Sequence, residues 1–332
     1  MKVLGIESSC DETAAAVVEG GRKVLSNIVV SQVKDHALFG GVVPEVASRK
    51  HTEAIVPVIN AALGDAGLGL DDIDGIAVTQ GPGLVGALLV GLSVAKSLAF
   101  ARNIPFVGIN HIEGHLTAIF LEEEVEFPYV GLIVSGGHTS IYLVKDLGDY
   151  QLLGKTIDDA AGEAFDKVAK VLGLGYPGGA LMDRLAKQGD CKAIRFPRGL
   201  LGKAKFNFSF SGMKTAASQY IKKQHEDLIG GMTNDIAASF QEAIVDVLVK
   251  KTVAAAEQSD VKSIVISGGV ACNSRLRARM AEIAKEAGIK TCFPSPVFCT
   301  DNAAMIAALG DYYLKSGKRS DLAMNAVARW EV

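Results

Sequence analysis

The sequence predicts an α/β protein built from two related halves, and three echoes carry that reading. Two short apolar strand pairs, each around a tight turn, lie about 127 positions apart. A strand, a glycine turn and a helix in the first half return about 188 positions later. A strand leading into a polar helix start recurs after about 190 positions.

Residues 3–6 and 14–18 are apolar runs of strand length around the polar turn Glu7-Ser8-Ser9-Cys10-Asp11-Glu12. Their counterparts are residues 129–134 and 140–144, around Ser135-Gly136-Gly137-His138-Thr139. Residues 73–79, the turn Gln80-Gly81-Pro82-Gly83 and a helix from Leu84 correspond to residues 261–266, Ser267-Gly268-Gly269 and a helix from about Ser274. The growth of the shift places an insertion of about 61 residues in the second half. We therefore expect lobes at 1–125 and 126–332, with the insertion around 151–215. Residues 84–101 form a membrane-like run, but it contains Ser93, Lys96 and Ser97, ends at Arg102 and follows a strand. That context predicts a buried helix of an α/β layer.

The 332 residues are enough for two domains with full cores, and 49% hydrophobic against 21% charged residues is the balance of a globular chain. Net charge is only −3, so an anionic substrate must be met by a local patch. Five scattered cysteines without a Cys-x-x-Cys pair argue against a disulfide framework and a thiolate zinc site, and predict a reduced, cytoplasmic location. Glu7 interrupts the first apolar run too early for a signal peptide.

His111 and His115 follow the apolar run 106–109 and stand four apart, so a helix over 112–121 would place both imidazoles on one face. The third echo sets Asp301, in Thr300-Asp301-Asn302, where His111 stands in the first half. Two histidines and a carboxylate with open positions suit Fe(II) and are compatible with zinc. The sequence thus predicts a metal ion bridging the two halves; taken alone, Asp301 reads first as a helix N-cap. Glu113 lies about 200° around the helix from the shared face, which disfavours a zinc-protease base there.

Ser135-Gly136-Gly137 and Ser267-Gly268-Gly269 offer unobstructed backbone N–H groups of the kind that bind phosphate, so nucleotide binding is expected. Asp159, Glu163 and Asp166 share one helix face; Asp158 and Asp159 read as caps of that helix, and Asp166 as a ligand to a hydroxyl or amine. In the insertion, residues 187–214 hold seven Lys or Arg against Asp190, with Phe196, Phe206, Phe208 and Phe210 interleaved. Such a stretch suits a phosphate backbone or a single-stranded loop, and the phenylalanines read equally as packing beneath it. No general base stands out; His138 is a candidate.

A duplicated chain with phosphate-binding turns in both halves resembles the actin, sugar kinase and Hsp70 superfamily, two lobes around a nucleotide cleft. Nine segments resemble one family within it. They are Gly5 to Thr13, Gly40-Gly41-Val42-Val43-Pro44-Glu45, Gly81-Pro82-Gly83-Leu84, Asn110-His111-Ile112-Glu113-Gly114-His115, Ser135-Gly136-Gly137-His138-Thr139, Ala161 to Lys167, Tyr176-Pro177-Gly178-Gly179, Phe208-Ser209-Phe210-Ser211-Gly212 and Gly268-Gly269-Val270-Ala271-Cys272-Asn273. They are similar to the TsaD family of tRNA threonylcarbamoyltransferases, formerly labelled O-sialoglycoprotein endopeptidases. The resemblance implies transfer of threonylcarbamoyl from threonylcarbamoyl-adenylate to N6 of the adenosine 3′ of the anticodon. It implies His111, His115 and Asp301 as ligands of Fe(2+), with zinc possible. It also implies an adenine nucleotide or adenylate site at Ile133, Val134, Ser135, Gly136, Gly137, Asp166, Gly179, Asp183 and Asn273. Its implied partners are tRNA, a TsaB-like paralogue and a TsaE-like ATPase, with a homodimer possible and no membrane. The rival readings are a kinase of the same fold and a nucleotide-switched scaffold.

Overall fold

The computed structural model describes every residue except Lys203, Ala204 and His225, and describes residues 226–230 by backbone course alone. The strands are β1 (Lys2–Glu7), β2 (Glu12–Glu19), β3 (Lys23–Ser31), β4 (Gly75–Gly81), β5 (Phe106–Asn110), β6 (Tyr129–Val134), β7 (Thr139–Asp146), β8 (Asp149–Lys155), β9 (Ser263–Ser267) and β10 (Lys290–Cys292). The helices are α1 (Val33–Ala37), α2 (Pro44–Asp65), α3 (Val85–Arg102), α4 (His111–Thr117), α5 (Ala161–Val171), α6 (Gly178–Ala186), α7 (Ser211–Lys223), α8 (Glu226–Gln258), α9 (Ser274–Glu286), α10 (Pro296–Cys299) and α11 (Ala303–Lys315).

These elements form two five-stranded sheets with one topology. The first runs β3-β2-β1-β4-β5 and the second, written from its other edge, β8-β7-β6-β9-β10. In each, the hairpin strands are antiparallel, while β4 and β9 join β1 and β6 in parallel, as the duplicated pattern predicts. This is the α/β, actin-like duplicated fold. The central strands β1 and β6 are buried along almost their whole length, which is why they read as apolar runs without alternation. Residues 156–262 carry four helices, α5 to α8, between β8 and β9, where the first half has only α1, α2 and a short 3₁₀ turn between β3 and β4.

The chain divides into residues 1–124 with 300–332, and residues 125–299. The expected second lobe of 126–332 therefore ends early, because the last 33 residues return to the first sheet. Helix α11 packs on β1, β4 and β5, and two glycines bring it close. A Cβ on Gly5 would stand 2.2 Å from the Ala303 carbonyl oxygen, and one on Gly310 the same distance from the Ala77 methyl. Helix α3 is buried on one face only: Ala87, Leu88, Leu92, Ala95 and Ala99 are covered, whereas Phe100 is 75% exposed. The expectation of a buried helix is thus half met, since the sheet and α2 cover one side of it.

Candidate metal centre and glycine-rich turns

Strand β5 delivers α4. The Asn110 side chain caps that helix by accepting from the Ile112 N–H at 2.8 Å, so His111 opens the helix and His115 stands one turn along the same face. The helix is shorter than expected and tightens into a 3₁₀ turn at Ala118–Leu121. Asp301 precedes α11, but it does not cap it: Asn302 Oδ1 accepts from the Met305 N–H at 3.0 Å. The Asp301 carboxylate is thereby left for the histidines.

His115 Nε2 lies 3.1 Å and His111 Nε2 3.5 Å from Asp301 Oδ1, and one donor atom from each of the three residues falls within 4.8 Å of the others. Two ligands each about 2.1 Å from one tetrahedral ion stand about 3.4 Å apart, so the two His–Asp separations are of metal-ligand size. Both imidazoles are buried, with their ring centroids 4.6 Å apart. All three residues belong to the first unit, Asp301 through the returning chain. The expectation of an ion bridging the two halves is overturned: although the helices follow equivalent strands, α11 folds onto the first sheet.

One residue of this centre escaped the sequence reading. Glu7, at the end of β1, is fully buried; its Oε2 accepts from His111 Nδ1 at 2.9 Å and from the Thr79 hydroxyl at 2.6 Å. Its Oε1 accepts from the Ser9 N–H at 2.6 Å. Burial raises the Glu7 pKa, but the charge and hydrogen bond of His111 outweigh it and hold the carboxyl below its ordinary value. An ionised carboxylate accepts only, so Nδ1 of His111 carries the proton and Nε2 turns towards Asp301. The signal was a carboxylate inside an otherwise apolar strand. His51 secures the adjoining turn: Nε2 donates to the Cys10 carbonyl at 3.0 Å, and Nδ1 accepts from the Thr13 hydroxyl at 2.8 Å. In that turn Glu12 is pushed up to about 9, by burial first and then by the charges of Asp301 and Asp11. Glu113 accepts from the Tyr313 hydroxyl, not from a histidine, and burial raises its pKa. The geometric argument against a protease base holds.

The second unit carries the glycine turns side by side. Ile133 and Val134 end β6; the Ser135 N–H donates to the His138 carbonyl and the His138 N–H to Ser135 Oγ, closing the turn. Gly136 and Gly137 are exposed, their N–H groups have no hydrogen-bond partner among the described residues, and nothing fills the space a Cβ would take. Gly268, at φ 97°, sits so close that a Cβ there would be 2.4 Å from the Val134 carbonyl oxygen. Helix α5 begins against the same turn, with the Gly162 N–H donating to the Ser135 carbonyl at 3.2 Å.

The other expected ligand residues act on backbone here. Asp166 Oδ1 accepts from the Gly178 and Gly179 N–H groups at 2.7 and 3.3 Å, which ties α5 to the start of α6 and replaces the expected contact with a ligand hydroxyl or amine at that oxygen. Asp183 Oδ1 accepts from the Ser274 N–H and hydroxyl, joining α6 to α9. Asn273 caps α9 through the Leu276 N–H, and its Nδ2 donates to Gln241 Oε1 at 2.6 Å. Neither Asp158 nor Asp159 caps α5, whose N-cap position is Ala160. Asp158 instead accepts from Phe210 and Ser211 at the start of α7, and Asp159 pairs with Lys167 and Lys214.

The basic stretch changes character in the fold. Phe196, Phe206, Phe208 and Phe210 are all buried in the second core, so they offer no stacking platform. Arg198 pairs with Asp246, Lys214 with Asp159 and Lys187 with Asp183, all carboxylates outside the stretch. Lys203 lies outside the described residues.

The model of the TsaD family, tRNA N6-adenosine threonylcarbamoyltransferase, matches residues 23–308. The chain belongs to the TsaD family. It is 61% identical over 330 residues to the tRNA N6-adenosine threonylcarbamoyltransferase of Geobacter sp. (strain M21), covering 99% of this chain and 96% of that protein. The protein of the same name from Geotalea uraniireducens (strain Rf4) is 59% identical over the same shares. Among solved structures, T.kodakarensis HypF aligns with a TM-score of 0.64 at 15% identity, over 97% of this chain and 48% of that one, a likeness of fold alone. This TsaD chain thus gathers His111, His115 and Asp301 into a cluster that could hold a metal ion.

Proposed function

We propose that this TsaD chain transfers the threonylcarbamoyl group of threonylcarbamoyl-adenylate to N6 of the adenosine 3′ of the anticodon, in tRNAs reading codons that begin with adenosine. The observation that carries this reading is the convergence of His111, His115 and Asp301 in a member of a tRNA-modifying family. These three residues would hold one Fe(2+) per subunit, zinc being the alternative. A dication there would supply a Lewis acid. Glu7 fixes the His111 tautomer, and the Gly136 and Gly137 N–H groups take the phosphate or the developing oxyanion. Ile133, Val134 and Ser135 present that turn, while Asp166, Gly179, Asp183 and Asn273 fix the starts of α6 and α9 around the adenylate. The adenosine N6 attacks the carbamate carbon; a C–N bond forms, the carbon–oxygen bond to phosphate breaks, AMP leaves, and N6 gives up one proton, for which His138 is the candidate acceptor.

The five free cysteines support a cytoplasmic location, and a TsaB-like paralogue, a TsaE-like ATPase and a second copy of this chain are its proposed partners. The test is nucleoside analysis of tRNA from cells depleted of the protein. Threonylcarbamoyl-adenosine should disappear; an unchanged level would end the proposal.

A further inference from the structure

A basic groove lies between α5 and α7, and Lys214 alone of the stretch where the sequence concentrates its positive charge lines it. It encloses about 500 Å³ and is lined by Lys167, Lys170, Lys214 and Lys222, with Thr215 and Ser218 between them. Two carboxylates offset part of that charge: Glu163 pairs with Lys167 at 2.6 Å, and Asp159 with Lys167 at 3.2 Å and Lys214 at 2.5 Å. Lys170 and Lys222 are exposed and have no ion pair among the described residues. Among the described residues the groove therefore keeps a surplus of two positive charges in a chain of net −3. Lysines crowded on facing helices repel one another unless a polyanion lies between them.

Its position says which polyanion. Helix α5 starts against the Ser135-Gly136-Gly137 turn, and Lys170 stands eight residues beyond Gly162, about 12 Å along the helix. At about 3.4 Å per nucleotide of a stacked strand, that is three or four nucleotides. Lys214 to Lys222 spans another 12 Å or so along α7. We propose that this groove receives the phosphodiester backbone of the tRNA anticodon arm, a few nucleotides from the adenosine being modified. The assignment rests on the tRNA reading above. The lysines contribute phosphate contacts that place the RNA, with Thr215 and Ser218 as neutral hydroxyl donors, and they carry no base specificity.

The test is the salt dependence of binding of an unmodified tRNA transcript to the full chain, followed by fluorescence anisotropy. Lys170→Gln with Lys222→Gln should weaken binding several-fold and flatten the slope of log affinity against log salt by about 1.4 to 1.8, the release expected for two phosphates. Lys250→Gln with Lys262→Gln, which removes the same charge from exposed sites elsewhere in the second unit, should leave the slope unchanged. ATP affinity should be the same in all three proteins. Equal flattening in both double variants, or none in the groove variant, overturns the proposal. So does a groove variant that keeps its tRNA slope but loses affinity for a poly-glutamate peptide, which would mark an acidic-protein surface. If the unaltered chain binds no tRNA, the tRNA reading of this chain fails and the groove assignment with it.

Discussion

The two sheets are topological copies, yet equivalent ends of them carry opposite chemistry. In the first, Glu7 ends β1, Asp11 lies in the turn after it, Glu12 opens β2, and the strand end at β5 leads into two histidines. In the second, the turn after β6 is Ser135-Gly136-Gly137 and the turn after β9 is glycine again. One end concentrates carboxylates and imidazoles, groups that suit a cation; the other exposes backbone N–H groups, which suit an anion. The copied scaffold sets where the strand ends fall, and a few residues there set the sign of the charge they favour.

The largest expected effect tests the cation end. Asp301→Ala should lower metal content at least 100-fold and abolish transfer, with the melting temperature nearly unchanged, because Asn302 is the cap of α11. Asn302→Ala should do the reverse, losing about 0.5 to 2 kcal/mol of stability and keeping the metal. Metal analysis beside melting curves separates them, and full metal content in Asp301→Ala would dissolve the proposed centre.

Next comes the support beneath that centre. The Glu7 carboxylate offers an acceptor at each oxygen, to Ser9 on one side and to Thr79 and His111 on the other. Glutamine has one acceptor oxygen, so Glu7→Gln leaves at least one of these donors facing an NH₂ group. A drop of about 10- to 100-fold in metal affinity is expected, read by competition with a chromophoric chelator. Unchanged affinity would make Glu7 merely structural.

The anion end is tested by two glycines that differ in what surrounds them. Gly136→Ala meets open space, so folding should be unaffected while nucleotide affinity falls about tenfold. Gly268→Ala places a Cβ against the Val134 carbonyl at a left-handed φ, and should destabilise the second unit by about 1 to 3 kcal/mol. If calorimetry finds Gly136→Ala with normal nucleotide affinity, the exposed turn is not where the phosphate sits.

Much of this contrast was legible in the sequence, because strand periodicity, glycine turns and the histidine spacing are local signals. What was hidden depends on distant partners. Nearly every residue from Ala303 to Leu314 is buried, so α11 is apolar all round and its pattern does not say which sheet it covers. The clues were Gly5 and Gly310, meaningful only once the two elements touch. The charge count over residues 187–214 misled for the same reason, since Asp183, Asp246 and Asp159 pair with three of its seven basic residues from outside. The basic groove was invisible because its two helices are separated by some forty residues of chain.

The smallest effect concerns how the two units finish their helices. Helix α4 is capped by its own Asn110, whereas α7 is capped by Asp158, more than fifty positions away, through the Phe210 and Ser211 N–H groups and the Ser209 and Ser211 hydroxyls. Burial raises the Asp158 pKa, but these hydrogen bonds outweigh it and set the folded value below the ordinary 3.8. A carboxyl whose pKa is lower in the folded chain adds stability that is fully present above the unfolded value and is lost as pH falls through the folded one. Asp158→Ala should therefore destabilise the protein by about 1 kcal/mol at neutral pH. Melting curves of the two proteins should converge as pH drops below 3.8, where the unaltered chain loses the charge-assisted part of the cap. A gap that stays constant through that range would show that the Asp158 contacts act through packing and not through charge. Because α7 also forms one wall of the basic groove, Asp158→Ala should flatten the tRNA salt slope less than Lys170→Gln with Lys222→Gln does, since it removes no phosphate contact.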